Sequence, residues 1–371
     1  NRFFCYYQTS LQLSLKEKMN YIIINSNIIL KDKILLKHDL IVKNNHISNI
    51  VKKQSSTLKL HKNYEIIDAE GGYVTPGLIE MHIHGCGPFD FAAVSPGDYN
   101  KATAFLQGKG INIFLPTFQY NFNYLKNLHA ALEKEPDLKK SIPGYYIEGP
   151  FINSEKKGGI LDKNISSAGL VLLEKIIEQS KGLLRIMTIA PEIKDAENMI
   201  HHLLLNNIIP ALGHSKCTIS DLKALEKYSS KLNVTHLYNA MSGISHKLPG
   251  LAMYPFLNKE IFFELNGDGI HLSEEIIKMS YEHLNHEKLI LISDAVVTAG
   301  SNFGQGEYCG NPVVSDKNGV RYKKNGTLIG SNKILPDIIV NFIKVTGAPI
   351  YEAVKFATLN PARLLGLDNK L

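Results

Sequence analysis

Short apolar runs, most of them closing on a polar or turn-forming residue, recur through most of this chain. From residue 78 they read LIEMHIH (78–84), INIFLPT (111–117), GYYIEGP (144–150), LRIMTIAP (184–191), IIPALGH (208–214), LNVTHLY (232–238), IFFELNG (261–267) and LILISDA (289–295). Runs of strand length alternating with helix-compatible stretches are the pattern of parallel βα units. DYNKATAFLQGKG (98–110), YLKNLHAALEKE (124–135), ISDLKALEKYSS (219–230) and EEIIKMSYEHLN (274–285) carry apolar residues at helical spacing and predict outer helices. Eight repeats of this alternation predict an α/β protein built on a closed (β/α)8 TIM-type barrel. Residues 335–365 read as closing helices, with Pro349 and Pro361 at first-turn positions, and residues 306–326 have hairpin character.

Upstream the pattern differs. YIIINSNII, DLIV, HISNIV and EIID, separated by Lys, Asn and Asp, predict several short strands bounded by Gly71-Gly72 and Pro76-Gly77. The expected organisation is a leader at 1–18, a small β-sheet domain at 19–75 forming a partial β-sandwich, and the barrel at 76–371. The leader has neither an initiator Met nor a small-residue cleavage site, so Met19 reads as the natural start.

Composition changes this picture little. The 371 residues are 44% hydrophobic, enough for a large core. The formal charge of +6 is local, because residues 1–62 hold 11 basic and 3 acidic side chains. Those lysines interleave with Ile-rich strands rather than aromatic residues, which reads as a solvated sheet face and argues against a nucleic-acid partner. No run approaches the length needed to span a bilayer. Cys5, Cys86, Cys217 and Cys309 form no CxxC pair, consistent with a reducing cytoplasm.

The polar residues within or just after the apolar runs suggest the chemistry. In His82-Ile83-His84, side chains two apart on a strand face the same way, so both imidazoles can enter a barrel mouth and share an ion; the plain alternative is two hydrogen-bonded histidines. Glu148 ends an apolar strand and needs a partner, either a metal or a lysine such as Lys156 or Lys157. His214 and His236 belong to adjacent strands and, with Glu148, make a three-ligand set that leaves a coordination position open for water. Asp294 ends the last run and suits a general base acting on that water, or an N-cap for the segment that follows. His271, in a loop after the seventh run, is a substrate-binding candidate or a surface histidine.

Beyond these single residues, TPGLIEMHIHG, YIEGPFINSEKKGG, GHSKCT, THLYNAM, PGLA, NGDGIHL, SDAVVTAG and GTLIGS resemble, in order, the N-acetylglucosamine-6-phosphate deacetylase family of the amidohydrolase superfamily. The resemblance implies hydrolysis of the acetamide of a 6-phosphorylated amino sugar. It also implies that Glu148, His214 and His236 bind the catalytic metal, with Asp294 as general acid/base. Having both His82 and His84, the chain resembles members able to hold a second ion. Similarity further implies that Asn239, the Ala240 backbone and His271 contact the sugar phosphate. Lys247, at or near the place of the family's arginine, would reach the neighbouring subunit's site in a homodimer as a point charge without a bidentate fork. His and carboxylate ligands suit zinc, iron, manganese or cobalt, one or two per subunit.

The chain departs from the family at two places. Where the family has a substrate-touching histidine one residue beyond Gly159, this chain has Ile160, which neither donates nor accepts a hydrogen bond. It also stops at Leu371, where family members continue with sandwich strands, so an unpaired sheet edge is expected on residues 21–68. Two other readings remain open at this level. One is an amidohydrolase for the galactosamine epimer or another acyl amine or cyclic amide. The other is a catalytically impaired sugar-phosphate-binding relative.

Overall fold

The computed structural model describes residues 20–52, 64–302 and 304–368, so the leader lies outside the described residues. All eight predicted runs form parallel strands: Leu78–Ile83, Ile111–Phe118, Tyr145–Ile147, Leu184–Ile189, Ile209–Leu212, Asn233–Val234, Phe262–Asn266 and Leu289–Ile292. Each pairs with its neighbour in chain order. A parallel bridge from Ile83 to Ala295, three residues past the last strand, brings the two ends of the sheet together in a nearly closed barrel.

The barrel is filled in layers, as the inward side chains of a closed parallel sheet must be. At the base, Ile79, Met81, Leu115, Tyr146, Ile186, Ala211, Phe262, Ile290 and Ile292 pack together, plugged by Ala362 and Leu365. Above them lies a buried polar layer. The Tyr146 hydroxyl is 2.9 Å from Thr235 Oγ1 and 3.1 Å from Thr188 Oγ1, and those two oxygens are 3.1 Å apart. Outward residues such as Phe114, Leu212, Phe263 and Leu291 pack beneath the helices in the larger core.

The predicted helices at 98–110, 124–135 and 274–285 appear as Asp98–Gln107, Phe122–Lys134 and Glu274–His283. The one expected at 219–230 does not run as a single α-helix: Ile219–Leu222 makes one α-turn, and Lys223–Lys231 tightens into a 3₁₀ helix. Leu222, Leu225 and Tyr228 recur every three residues, which is the 3₁₀ period. Residues 335–365 divide into Leu335–Thr346, Ile350–Phe356 and Leu359–Leu365, with Pro349 as the N-cap of the second helix and Pro361 third in the last.

Between the eighth strand and these helices, Gln305–Tyr308, Asn311–Asp316, Gly319–Tyr322 and Leu328–Gly330 form a four-stranded antiparallel sheet. The N-terminal sheet orders His46–Lys52, Ile34–Lys43, Tyr21–Ile29 and Glu65–Asp68, and Tyr73–Val74 also pairs with Tyr21–Ile29. Within it, His46–Lys52 pairs only with Ile34–Lys43 among the described residues, and its first four residues are exposed. Among the described residues no helix is long and apolar enough to cross a membrane.

Candidate metal centre

The C-terminal ends of the barrel strands deliver six buried ionisable side chains to one mouth, His82, His84, Glu148, His214, His236 and Asp294. His82 and His84 come from the first strand and bring their Nε2 atoms within 3.2 Å of each other. Ile83 between them turns into the outer core. Glu148 lies one residue past the third strand, and its Oε1 stands 2.9 Å from Nε2 of His214 and 2.9 Å from Nε2 of His236. Those two nitrogens are 3.1 Å apart. The other Glu148 oxygen is 3.5 Å from His84 Nε2. Two potential ligand sets therefore share one carboxylate: Glu148 with His214 and His236, and Glu148 with His82 and His84.

The rings are held with Nε2 turned inward. The Lys156 carbonyl lies 2.7 Å from His214 Nδ1 and can only accept, so Nδ1 carries the proton and the Nε2 lone pair faces Glu148. His82 Nδ1 likewise donates to Glu264 Oε2 at 2.9 Å. His84 Nδ1 meets the Tyr308 hydroxyl at 3.1 Å. His236 Nδ1 is buried without a hydrogen-bond partner among the described residues. Lone pairs and a carboxylate converging at these distances need a positive charge between them, and two imidazoles with one carboxylate are a donor set that fits a divalent ion.

The electrostatics agree with that need. Burial opposes ionisation of Glu148, yet positive charge on His214 and His236 would hold it well below the usual carboxylate range, the same demand for a cation at this point. Burial alone would depress His82, but Glu264, helped by Asp294 and Glu148, lifts it to about 10. Below the centre, burial pushes Glu80 up to about 8.

Three of the strand-end residues have backbones in the left-handed region without being glycine: His214 at φ 47°, His236 at 26° and Asp294 at 50°. Such conformations cost roughly 1–3 kcal/mol each and persist where the surrounding fold imposes them.

Asp294 points across the mouth. One oxygen is 3.4 Å from His84 Nε2, and the other is 3.6 Å from His271 Nε2. It starts no helix, so the capping alternative falls away. His271 is fixed from behind by Asp268, 2.8 Å from Nδ1. Asn239, Ala240, Ile160 and Gln119 line the same cavity, which opens to solvent at its mouth. Lys157 pairs instead with Asp162, and Lys156 offers Glu148 no ion pair. Lys247 lies on an exposed loop and is not among the cavity's lining residues.

Sequence reasoning missed Glu264 and Tyr308. Glu264 lies inside the apolar seventh strand, the same signal that singled out Glu148, and it also accepts from Asn233 Nδ2 at 2.7 Å and from the His236 amide at 3.0 Å. Tyr308 comes from the antiparallel insertion and carries no local signal.

A model of the amidohydrolase family matches residues 73–371. An N-acetylgalactosamine-6-phosphate deacetylase of Escherichia coli O157:H7 is 28% identical over 312 residues, covering 82% of this chain and 81% of its own. An N-acetylglucosamine-6-phosphate deacetylase of Lysinibacillus sphaericus is 27% identical over 356 residues, covering 95% and 90%. The crystal structure of N-acetylglucosamine-6-phosphate deacetylase from Pasteurella multocida superposes with a TM-score of 0.85 at 25% identity, covering 95% of this chain and 92% of that one.

Proposed function

The chain belongs to the amidohydrolase family, and from that premise we propose that it hydrolyses the acetamide of N-acetyl-D-glucosamine 6-phosphate to D-glucosamine 6-phosphate and acetate, in amino-sugar catabolism. The observation that carries this reading is the meeting of Glu148, His214 and His236 within 3.1 Å, with Asp294 facing the same cavity. The names of the relatives supply the substrate.

Glu148, His214 and His236 would hold the catalytic ion, and His82 and His84 a second one. A divalent ion there, of zinc, iron, manganese or cobalt, supplies Lewis-acid polarisation of the acyl oxygen and makes water more acidic. The Asp294 carboxylate takes a proton from the attacking water as its oxygen bonds to the acyl carbon. The same proton then passes to the amine nitrogen as the C–N bond breaks. His271, kept in place by Asp268, together with Asn239 and Ala240, orients the sugar phosphate. No lysine or arginine lines the cavity among the described residues, so the phosphate charge is left for Lys247 of a second copy in a cytoplasmic homodimer. In this reading the barrel domain begins near residue 76, and residues 19–75 belong to an accessory domain.

The test follows acetate release from N-acetylglucosamine 6-phosphate by protein supplied with a divalent metal. Release should stop on chelation and return when the metal is restored; a protein that never releases acetate would sink the reading. The E. coli relative's name makes the galactosamine epimer the second candidate substrate. Parallel assays rank the two by kcat/KM.

A further inference from the structure

Gln119 lies one residue beyond the second barrel strand, is 1% exposed and lines the cavity beside Glu148. Its Oε1 accepts two hydrogen bonds from the loop that roofs the cavity, one from the Leu161 amide at 3.2 Å and one from Asn164 Nδ2 at 2.5 Å. A backbone N–H can only donate, so these contacts fix which way the amide faces. Both side-chain hydrogen bonds of Gln119 among the described residues use Oε1, which leaves the two N–H bonds of Nε2 for the cavity. A nearly buried amide with its acceptor anchored and both donors free, on the wall of a ligand cavity, is built to meet an acceptor on the ligand.

The strand order says which acceptor. The second strand stands across the eight-stranded barrel from the sixth, whose following loop carries Asn239 and Ala240. The reading above puts the sugar phosphate on that far side and the acyl group at the ion site, whose Glu148 hangs on the Phe118 carbonyl next to Gln119 in the same cavity wall. The roof nearby is apolar, since Ile160, Leu328 and Ile329 line the same cavity and suit a methyl group. Ile160 offers no side-chain donor, and its own amide is spent on the Lys157 carbonyl.

We propose that Gln119 Nε2 donates a hydrogen bond to the acyl oxygen of the bound substrate, and that this bond strengthens as negative charge builds on that oxygen during attack. The inference rests on the amide-hydrolysis reading above. It makes Gln119 part of the acyl subsite, opposite the groups that hold the phosphate.

The test compares wild type, Gln119→Met and Asn164→Ala. Gln119→Met keeps length and volume but loses the donor and the loop anchor; Asn164→Ala loses an anchor and keeps the donor. Removing one such donor lowers kcat by about 100-fold or more in other acyl-transfer enzymes. A fall of that order is expected for Gln119→Met, with a much smaller change in KM, whereas Asn164→Ala should stay within about 3-fold of wild type. Titration calorimetry on chelated protein supplies a second readout. There Gln119→Met should weaken N-acetylglucosamine 6-phosphate and leave glucosamine 6-phosphate, which lacks the acyl oxygen, unchanged. An unaltered kcat in Gln119→Met, an equal loss in Asn164→Ala, or equal weakening of both ligands would overturn the proposal. A wild type that releases no acetate would instead remove the reading on which it rests.

Discussion

Asp294 has each carboxylate oxygen beside a different imidazole, His84 on one side and His271 on the other. It is one step removed from the tight Glu148, His214 and His236 set, so a proton-transfer role separates from ion binding at this residue. Asp294→Asn keeps the shape and loses the base. We expect bound metal, measured by elemental analysis, to match wild type while kcat falls by at least about 100-fold. Turnover near the wild-type rate would assign the proton to another group. Glu264 shows what a residue-level reading overlooks. It carries a carboxylate 182 positions from His82 yet sets which nitrogen of that ring faces the centre. Nothing in the local sequence of either residue encodes that pairing.

At the scale of elements, the antiparallel insertion reaches the site through one side chain. Tyr308 ends Gln305–Tyr308 and meets His84 Nδ1, while its neighbour Cys309 is tied back to Asp90 through its amide at 2.8 Å. Tyr308→Phe should leave the fold and the first ion in place. Affinity for a second ion should drop about 10- to 100-fold, the usual effect of losing a ligand's outer partner, read by competition with a chromogenic chelator. Equal affinity in both proteins would confine Tyr308 to packing. The eight strands were legible because each is a nearly unbroken apolar run, buried on both faces by the helices and the filled interior. His82, His84, Glu148, His214, His236, Asn239, Ala240, His271 and Asp294 were legible from their polar or strand-end positions and the family pattern, and the structure brings them to one mouth. Gln119, Glu264 and Tyr308 were not, because their roles arise from contacts across the barrel or from an insertion outside the βα repeat. The segment at 219–230 misled for another reason: its apolar residues fit both a helix of 3.6 residues per turn and one of 3.0.

For the whole molecule, the cavity holds imidazoles and carboxylates but no strong cation among its lining residues, whereas the proposed ligand carries a phosphate. If Lys247 completes the site from a second copy, each catalytic unit spans two chains. Asp294→Asn and Lys247→Ala, each nearly inactive alone, should then recover activity after mixing and subunit exchange. The mixed dimer has one mouth with its own Asp294 and an intact Lys247 across the interface. No recovery, in samples shown by light scattering to have exchanged, would place the phosphate on groups within one chain. The left-handed backbones of His214, His236 and Asp294 have a further consequence at this scale. Glycine would relax each of them, so a search for heat-resistant variants ranked by melting temperature alone would favour these positions, and each success would remove a metal-type ligand or the proposed proton carrier. Selection for such variants needs turnover as a second criterion, because the conformations that burden the folded state are those that aim the chemistry.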